Sequence, residues 1–247
     1  MAINNKIITV WGSQHCGKTT FSVKLAQALY DKCRATVIVL FCDITTPALP
    51  VLFPNRKENE LYSIGNVLSR TDIFANDVVS NLVIPKDRMN LGFLGYKNRE
   101  NRFSFPEYHP QKAEDLLRAL SELADYIIVD CESIVQNSIL NECAMKQART
   151  MFRLITPDLS CMSFYQSQNS ILSAGGYSPA RQITVMNIPS NDLLMLSGTT
   201  GTHFGKIDIT LPFSQVLRNQ YLEGTLMTPT NDKKYMQAVY TAVEEIR

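Results

Sequence analysis

Residues 12–20, GSQHCGKTT, directly follow the apolar run at 7–11 and constrain this chain more than any other segment. Glycine, four residues, Gly-Lys and then Thr is the spacing of a phosphate-binding loop. Each part has a chemical reason. Gly12 and Gly17 let the backbone curl until successive N–H groups converge on one anion. Lys18 brings a compact positive charge to β- and γ-phosphates, and the Thr19 hydroxyl can ligate Mg²⁺. Ser13, Gln14, His15, Cys16 and Thr20 complete the candidate binding loop. Phe21, Leu25 and Leu29 recur at helical spacing, with Ala26 and Tyr30 beside them, which predicts an amphipathic helix over 19–32. That helix would start at the phosphates with its positive dipole end. The bland reading is a glycine turn that binds nothing, but strand, loop and helix in this order predict a nucleoside-triphosphate site.

Downstream, strands and helices alternate. Residues 35–41 are continuous and β-branched, as a strand covered on both faces should be. They run into Asp43 and a proline-punctuated loop at 44–54. Residues 61–80 look helical in places, 89–96 predict a short strand, and 98–110 are polar, aromatic and irregular. Pro110 opens a helix whose apolar face is Leu116, Leu117, Leu120, Leu123 and Ala124. A buried strand at 126–129 ends at Asp130, and further strands are predicted at 151–155, 182–186 and 206–211. Helices are predicted at 159–173, 214–222 and 232–246. The pattern predicts one domain over 1–247: a doubly wound α/β fold, a mostly parallel sheet with helices on both faces. Ligands in that class sit outside the carboxyl ends of the strands.

Asp130 gains meaning from that rule. Apolar residues ending in aspartate, well downstream of a phosphate loop, form a Walker B arrangement that holds Mg²⁺. Capping the next helix is the bland alternative, and the two roles are compatible.

Charge excludes little. Lys plus Arg number 24 against 23 Asp plus Glu, so the net charge of +1 demands no nucleic-acid partner. Arg56, Lys57, Lys86, Arg88, Lys97, Arg99 and Arg102 are interleaved with acids and read as a solvated face. The six cysteines are scattered with no CxxC pair, which predicts buried thiols in a reducing cytoplasm rather than a metal site. Cys16 is the exception: inside the loop, a helix N-terminus would lower its pKa and make it reactive. No run of about 18 apolar residues predicts a membrane span, and the first strand starts too soon after Met1 to leave room for a signal peptide.

These segments, in order, resemble the ParA/MinD group of bacterial ATPases over nearly the whole chain. GSQHCGKTT resembles the family's phosphate loop, VLFCDITTPAL its second-strand motif and LADYIIVDCES its Walker B segment. LITPDLSCMSFYQSQNSIL, VMNIPSND and ITLPFSQVLRNQYLEGTL resemble the later strand, the adenine-side strand end and the adenine-side loop and helix. The resemblance implies ATP with Mg²⁺, a two-fold dimer with nucleotide at its interface, and slow hydrolysis. By position it makes Lys18 and Asp43 catalytic, puts Thr19, Asp43 and Asp130 around Mg²⁺, and sets Asn187 and Pro212 beside adenine. An amide suits the base edge because it donates and accepts together; a turn-forming Asn before Ile-Pro is the plainer reading of Asn187.

Two departures stand out. The family's second lysine, which reaches the partner's phosphates, is replaced by Ser13, and its water-orienting aspartate by Thr45. Loss of a trans cation of the arginine-finger type typically costs a thousandfold or more in rate. The resemblance therefore implies intact binding with weak or absent hydrolysis, and a loose dimer. Its TadZ/CpaE-like branch, which localises pilus assembly, is the preferred reading. It places the protein in the cytoplasm, recruited to a membrane or pole through a protein partner. A DNA or plasmid partition ATPase is the alternative, with the DNA contact not indicated by charge. An ATP-dependent ligase or amidase, with residues 97–108 lining a substrate cleft, is a reading of another class, since fold alone does not fix function.

Overall fold

The computed structural model describes residues 7–177, 181–193 and 204–246. Its strands are β1 (Ile7–Gly12), β2 (Val37–Phe41), β3 (Leu91–Leu94), β4 (Tyr126–Asp130), β5 (Thr150–Ile155), β6 (Arg181–Asn187) and β7 (Ile209–Leu211). They form one seven-stranded sheet in the order β3-β2-β4-β1-β5-β6-β7, every pairing parallel. Parallel neighbours cannot be joined by hairpins, so each connection crosses back over the sheet, usually through a helix. The helices are α1 (Lys18–Cys33), α2 (Leu49–Leu52), α3 (Ile64–Leu68), α4 (Ala75–Val79), α5 (Pro110–Leu123), α6 (Ile139–Gln147) and α7 (Leu159–Ala174). Two more, Gln215–Leu222 and Lys233–Ile246, follow β7.

Alternation along each strand divides the core into two layers. Ile7, Trp11, Ile38, Leu40, Ile127 and Val129 face α5, α6 and α7. Ile8, Val10, Val37, Val39, Ile128 and Phe152 face α1 and Lys233–Ile246. Between sheet and terminal helix, α1 is buried continuously from Phe21 to Leu29. Phe21 meets Phe152 edge-on at 5.2 Å between ring centroids. Burying a ring of this kind is worth about 1.5–3 kcal/mol. Lys24 is buried here too, and its ammonium donates to the carbonyls of Leu226 (2.6 Å) and Thr228 (2.9 Å).

The doubly wound α/β reading holds, and the sheet is wholly rather than mostly parallel. Some expectations change in detail. Residues 61–80 resolve into α3 and α4, and the proline-rich loop contains α2, with Pro50 in its first turn. Helix α6 was not anticipated, because its inner face carries the fully buried Asn141 among Leu140, Ala144 and Met145.

Because every strand runs the same way, Gly12, Phe41, Asp130, Asn187 and Leu211 all terminate at one edge of the sheet. Lys18, at the start of α1, and the loops carrying Asp43 and Pro212 follow. Chain segments more than a hundred residues apart thereby meet at one place.

Candidate functional site

Backbone geometry first shows why the loop needs its glycines. A Cβ at Gly12 would lie 2.3 Å from the Leu154 carbonyl of neighbouring β5, so only glycine fits. Gly17 has φ 92°, a left-handed conformation that side chains resist, and a Cβ there would also meet Asn187 Nδ2 at 2.5 Å. His15 is left-handed as well, with φ 58°. Gly17 precedes α1 without a side-chain cap. The first-turn N–H groups of α1 are therefore left to be met by an anion, the arrangement that binds phosphate.

Around this loop the charged groups are arranged with few spare partners. Lys18 Nζ donates to the carbonyls of Gly12 (3.2 Å) and Ser13 (2.8 Å) and to Ser133 Oγ (2.9 Å). Thr19 Oγ1 donates to Asp130 Oδ2 at 2.6 Å, and Ser22 Oγ to Oδ1 at 3.3 Å. Burial pushes the Asp130 carboxyl up from the usual 3.8 to about 6, against the opposing pull of the Thr19 bond and the Lys18 charge. A buried carboxylate held only by hydroxyls suits a divalent cation, which would supply the missing positive charge. Asp43 stands one residue beyond Cys42, whose N–H donates to the Asp130 carbonyl at 3.1 Å.

Asp43 has a local role that the sequence did not reveal. Its Oδ1 accepts from Thr45 N (2.8 Å), Thr45 Oγ1 (2.5 Å) and Thr46 N (2.9 Å). Thr45, where the resemblance leads one to look for a second carboxylate, instead closes an Asx-type turn that orients Asp43.

The remaining expected residues fall around the loop with one correction. Cys16 is 1% exposed, and burial raises its pKa to about 11; desolvation outweighs the nearby Lys18 charge, so the expected activated thiol is not found. Ser13, which stands where the family's second lysine would be, is 7% exposed and lines the cleft beside the loop together with Cys161 of α7. Gln14 and His15 are the exposed residues of the loop. Thr20 is half-buried in the first turn of α1. Asn187 Nδ2 donates to the Cys16 carbonyl at 3.0 Å, so this amide braces the loop from β6. Pro212 follows β7 at the same edge, beside the Ile188 N–H that donates to the Leu211 carbonyl at 3.0 Å. Next to the loop opens a cleft of about 490 Å³ lined by Ser13, Gln14, His15, Ser133, Asp158 and Phe164 among others.

Several participants were missed in the sequence. Ser133 receives Lys18 on its hydroxyl and the Trp11 indole N–H on its carbonyl at 3.0 Å. Asp158 caps α7 by accepting from Cys161 N at 2.9 Å. In residues 97–108, Lys97, Asn98 and Arg99 line a separate cleft of about 150 Å³ with Arg56 and Glu58, while Glu100 accepts from Ser63 Oγ (2.6 Å) and Lys97 N (2.7 Å) and Phe105 packs over Gly65. Among the described residues no helix is long and apolar enough to cross a membrane.

No protein-family model and no curated protein matches this chain. Solved structures do. A ParA family ATPase from Chlorobium tepidum is similar over 99% of this chain and 100% of its own, with TM-score 0.79 and 13% identity. The septum site-determining protein MinD from Pyrococcus horikoshii, complexed with Mg-ADP, is similar over 97% and 95%, with TM-score 0.72 and 19% identity. A plasmid partition protein from Borrelia burgdorferi, bound to AMPPNP, is similar over 98% of both chains, with TM-score 0.73 and 15% identity. At these identities the likeness is one of fold, and it is the P-loop α/β fold of MinD and ParA ATPases.

Proposed function

We propose that this chain is an ATP-binding, Mg²⁺-dependent switch of the ParA/MinD kind, built as a single domain, that positions or assembles a cellular structure. The observation that carries the reading is the meeting of Lys18, Thr19 and Asp130 at the uncapped start of α1. Mg²⁺ would be held by Thr19 and Asp130, with Asp43 beside them, and would neutralise charge on the β- and γ-phosphate oxygens. The donor set fits this ion: a buried carboxylate contacted by a hydroxyl is short of one positive charge. Lys18 would leave its carbonyl acceptors for phosphate. The first-turn N–H groups would take the β-phosphate, and Asn187 would keep the loop in its binding conformation.

The Mg-ADP and AMPPNP named with the similar MinD and partition proteins support the same ligand class. Dimerisation on ATP is part of the proposal, with Gln14 and His15 as the loop residues presented to a partner subunit. Neither supplies the permanent charge of a lysine, so the dimer is looser and hydrolysis slow. Pilus localisation rests on the sequence resemblance alone, and plasmid partition has the Borrelia fold likeness beside it; both are positioning tasks.

Calorimetry with Mg-ATP tests the central step. The parental protein binds, and Lys18→Ala lowers affinity by at least a hundredfold, because neutral dipoles alone do not replace the charge. Equal affinity for both proteins would refute nucleotide binding at this loop. Light scattering with a non-hydrolysable ATP analogue tests the dimer, and a protein that stays monomeric at saturation would refute it.

A further inference from the structure

The smaller cleft lies at the carboxyl edge of the sheet, away from the phosphate loop. The segment that follows β2 and the turn that follows β3 build it, with Phe53, Arg56, Glu58, Lys97 and Arg99 among its walls. In the strand order β3-β2-β4-β1, the end of β3 stands three strands from the loop after β1. At the usual strand spacing that is about 14 Å. Arg56, Lys97 and Arg99 are dispersed among acids in the sequence and read there as a solvated face. In the fold they converge on one cleft, with Glu58 the one acid in its lining.

These cations are held in place. Arg56 Nη2 donates to the Ile84 carbonyl at 2.6 Å, and the guanidinium lies over the Phe53 ring, 5.4 Å from its centroid. That fixes the plane of a group whose rigid fork carries further N–H donors. Lys97 and Arg99 belong to a turn that Glu100 locks, its Oε2 accepting from both Lys97 N (2.7 Å) and Ser63 Oγ (2.6 Å). Within that turn Arg99 has φ 65°, a left-handed conformation uncommon for a residue with a Cβ. Strain of this kind persists where the surroundings over-determine it, and it clusters at binding sites. Among the described residues no ion pair joins Arg56, Lys97 or Arg99 to an acid, Glu58 included. The positive charge that the fold gathers here is therefore not neutralised within the chain.

We propose that this cleft binds a phosphate group, as inorganic phosphate or as the end of a small phosphomonoester. Three cations against one carboxylate leave the lining with a net charge of +2. A phosphomonoester carries about −1.5 to −2 at neutral pH and balances it, whereas a carboxylate or a phosphodiester would leave positive charge over. The Arg56 fork suits two phosphate oxygens at once, and Lys97 adds a compact point charge. Size points the same way. At about 150 Å³ the cleft falls below the roughly 300–1,000 Å³ of pockets that enclose drug-sized ligands, so it suits a small anion. The inference does not depend on ATP binding at the loop.

The phosphate loop can also take phosphate, so the test uses the Lys18→Ala protein. Calorimetry at low salt measures its affinity for inorganic phosphate and for glycerol 3-phosphate. Each is expected to bind with a dissociation constant of about 1 mM or tighter. Arg99→Asn removes a charge with a residue that tolerates the left-handed backbone, and Lys97→Gln removes one while keeping most of the stem. Each change should weaken binding about tenfold, the worth of one charge-assisted hydrogen bond, and the two together should abolish it. With Lys18 intact, neither change should alter affinity for Mg-ATP. Thermal unfolding identifies a variant that fails to fold; if Lys97→Gln does, Arg99→Asn carries the comparison. No phosphate binding by the Lys18→Ala protein, or binding that the double change leaves intact, would overturn the proposal. So would a single-stranded oligonucleotide held through Lys97 and Arg99 by a protein that ignores phosphate, which would make the cleft part of a polyanion surface.

Discussion

Asp130→Asn should make the metal-free protein more stable while destroying its Mg²⁺ site. Asp130 is 5% exposed, and burial raises its pKa from 3.8 to about 6. Its folded pKa therefore lies above its unfolded one. The stability linked to this group is fully present below pH 4 and is lost as pH rises through about 6. A shift of that size corresponds to about 3 kcal/mol withheld from the folded state at neutral pH, at roughly 1.4 kcal/mol per unit. Asparagine recovers only part of this. It keeps an acceptor for the Thr19 hydroxyl, now 2.6 Å from Oδ2, but it forfeits the charge-assisted character of that bond, worth about 1 kcal/mol. Its amide also needs an acceptor, and Ser22 Oγ, 3.3 Å from Oδ1, is the nearest hydroxyl. The net gain expected is about 1–2 kcal/mol, or about 2–8 °C in Tm for a chain of this size. Thermal unfolding in EDTA at pH 7.5 and at pH 4 measures it. The variant should melt higher at pH 7.5 and somewhat lower than the parent at pH 4, where the protonated carboxyl no longer weighs on the fold. A variant no more stable at pH 7.5, or a gap that ignores pH, would refute the claim that Asp130 is a buried carboxylate waiting for a cation.

Two more consequences are open to direct measurement. Cys16 should resist a thiol reagent in the folded protein while the half-buried Cys33 reacts, because Cys16 is enclosed and its pKa stands near 11; peptide mapping after brief labelling checks this, and Cys16 labelling ahead of Cys33 would contradict it. Lys24→Met should cost about 2 kcal/mol at pH 10, where the Leu226 and Thr228 carbonyls lose their donor. Burial, with Arg88 nearby, lowers the Lys24 pKa from 10.5 to about 8, so the parent gains on this variant as pH rises from 8 to 10.5. Urea unfolding across that range measures the gap, and a gap independent of pH would refute it.

What was legible in the sequence was what short-range pattern decides. The β-branched runs at 35–41 and 126–129 could only be covered strands, and the glycines at 12 and 17 could only serve a tight loop. Strand ends in a parallel sheet share an edge, so Asp43, Asp130, Asn187 and Pro212 could be brought together from topology alone. Partners set by distant segments were not legible. Whether Cys16 is an activated thiol or a buried one depends on the loop's packing, where burial outweighs the Lys18 charge and the Lys18 backbone N–H. Lys24 reads as a solvent-facing charge in an amphipathic helix, and its acceptors lie some two hundred residues away. Helix α6 escaped notice for the same reason: Asn141 interrupts an apolar face in order to clamp the Glu132 backbone. A polar residue that weakens a local pattern is, in such a case, evidence that something next to it must be held in place. At this site the segment so held follows Asp130 and carries Ser133, whose hydroxyl receives the Lys18 ammonium.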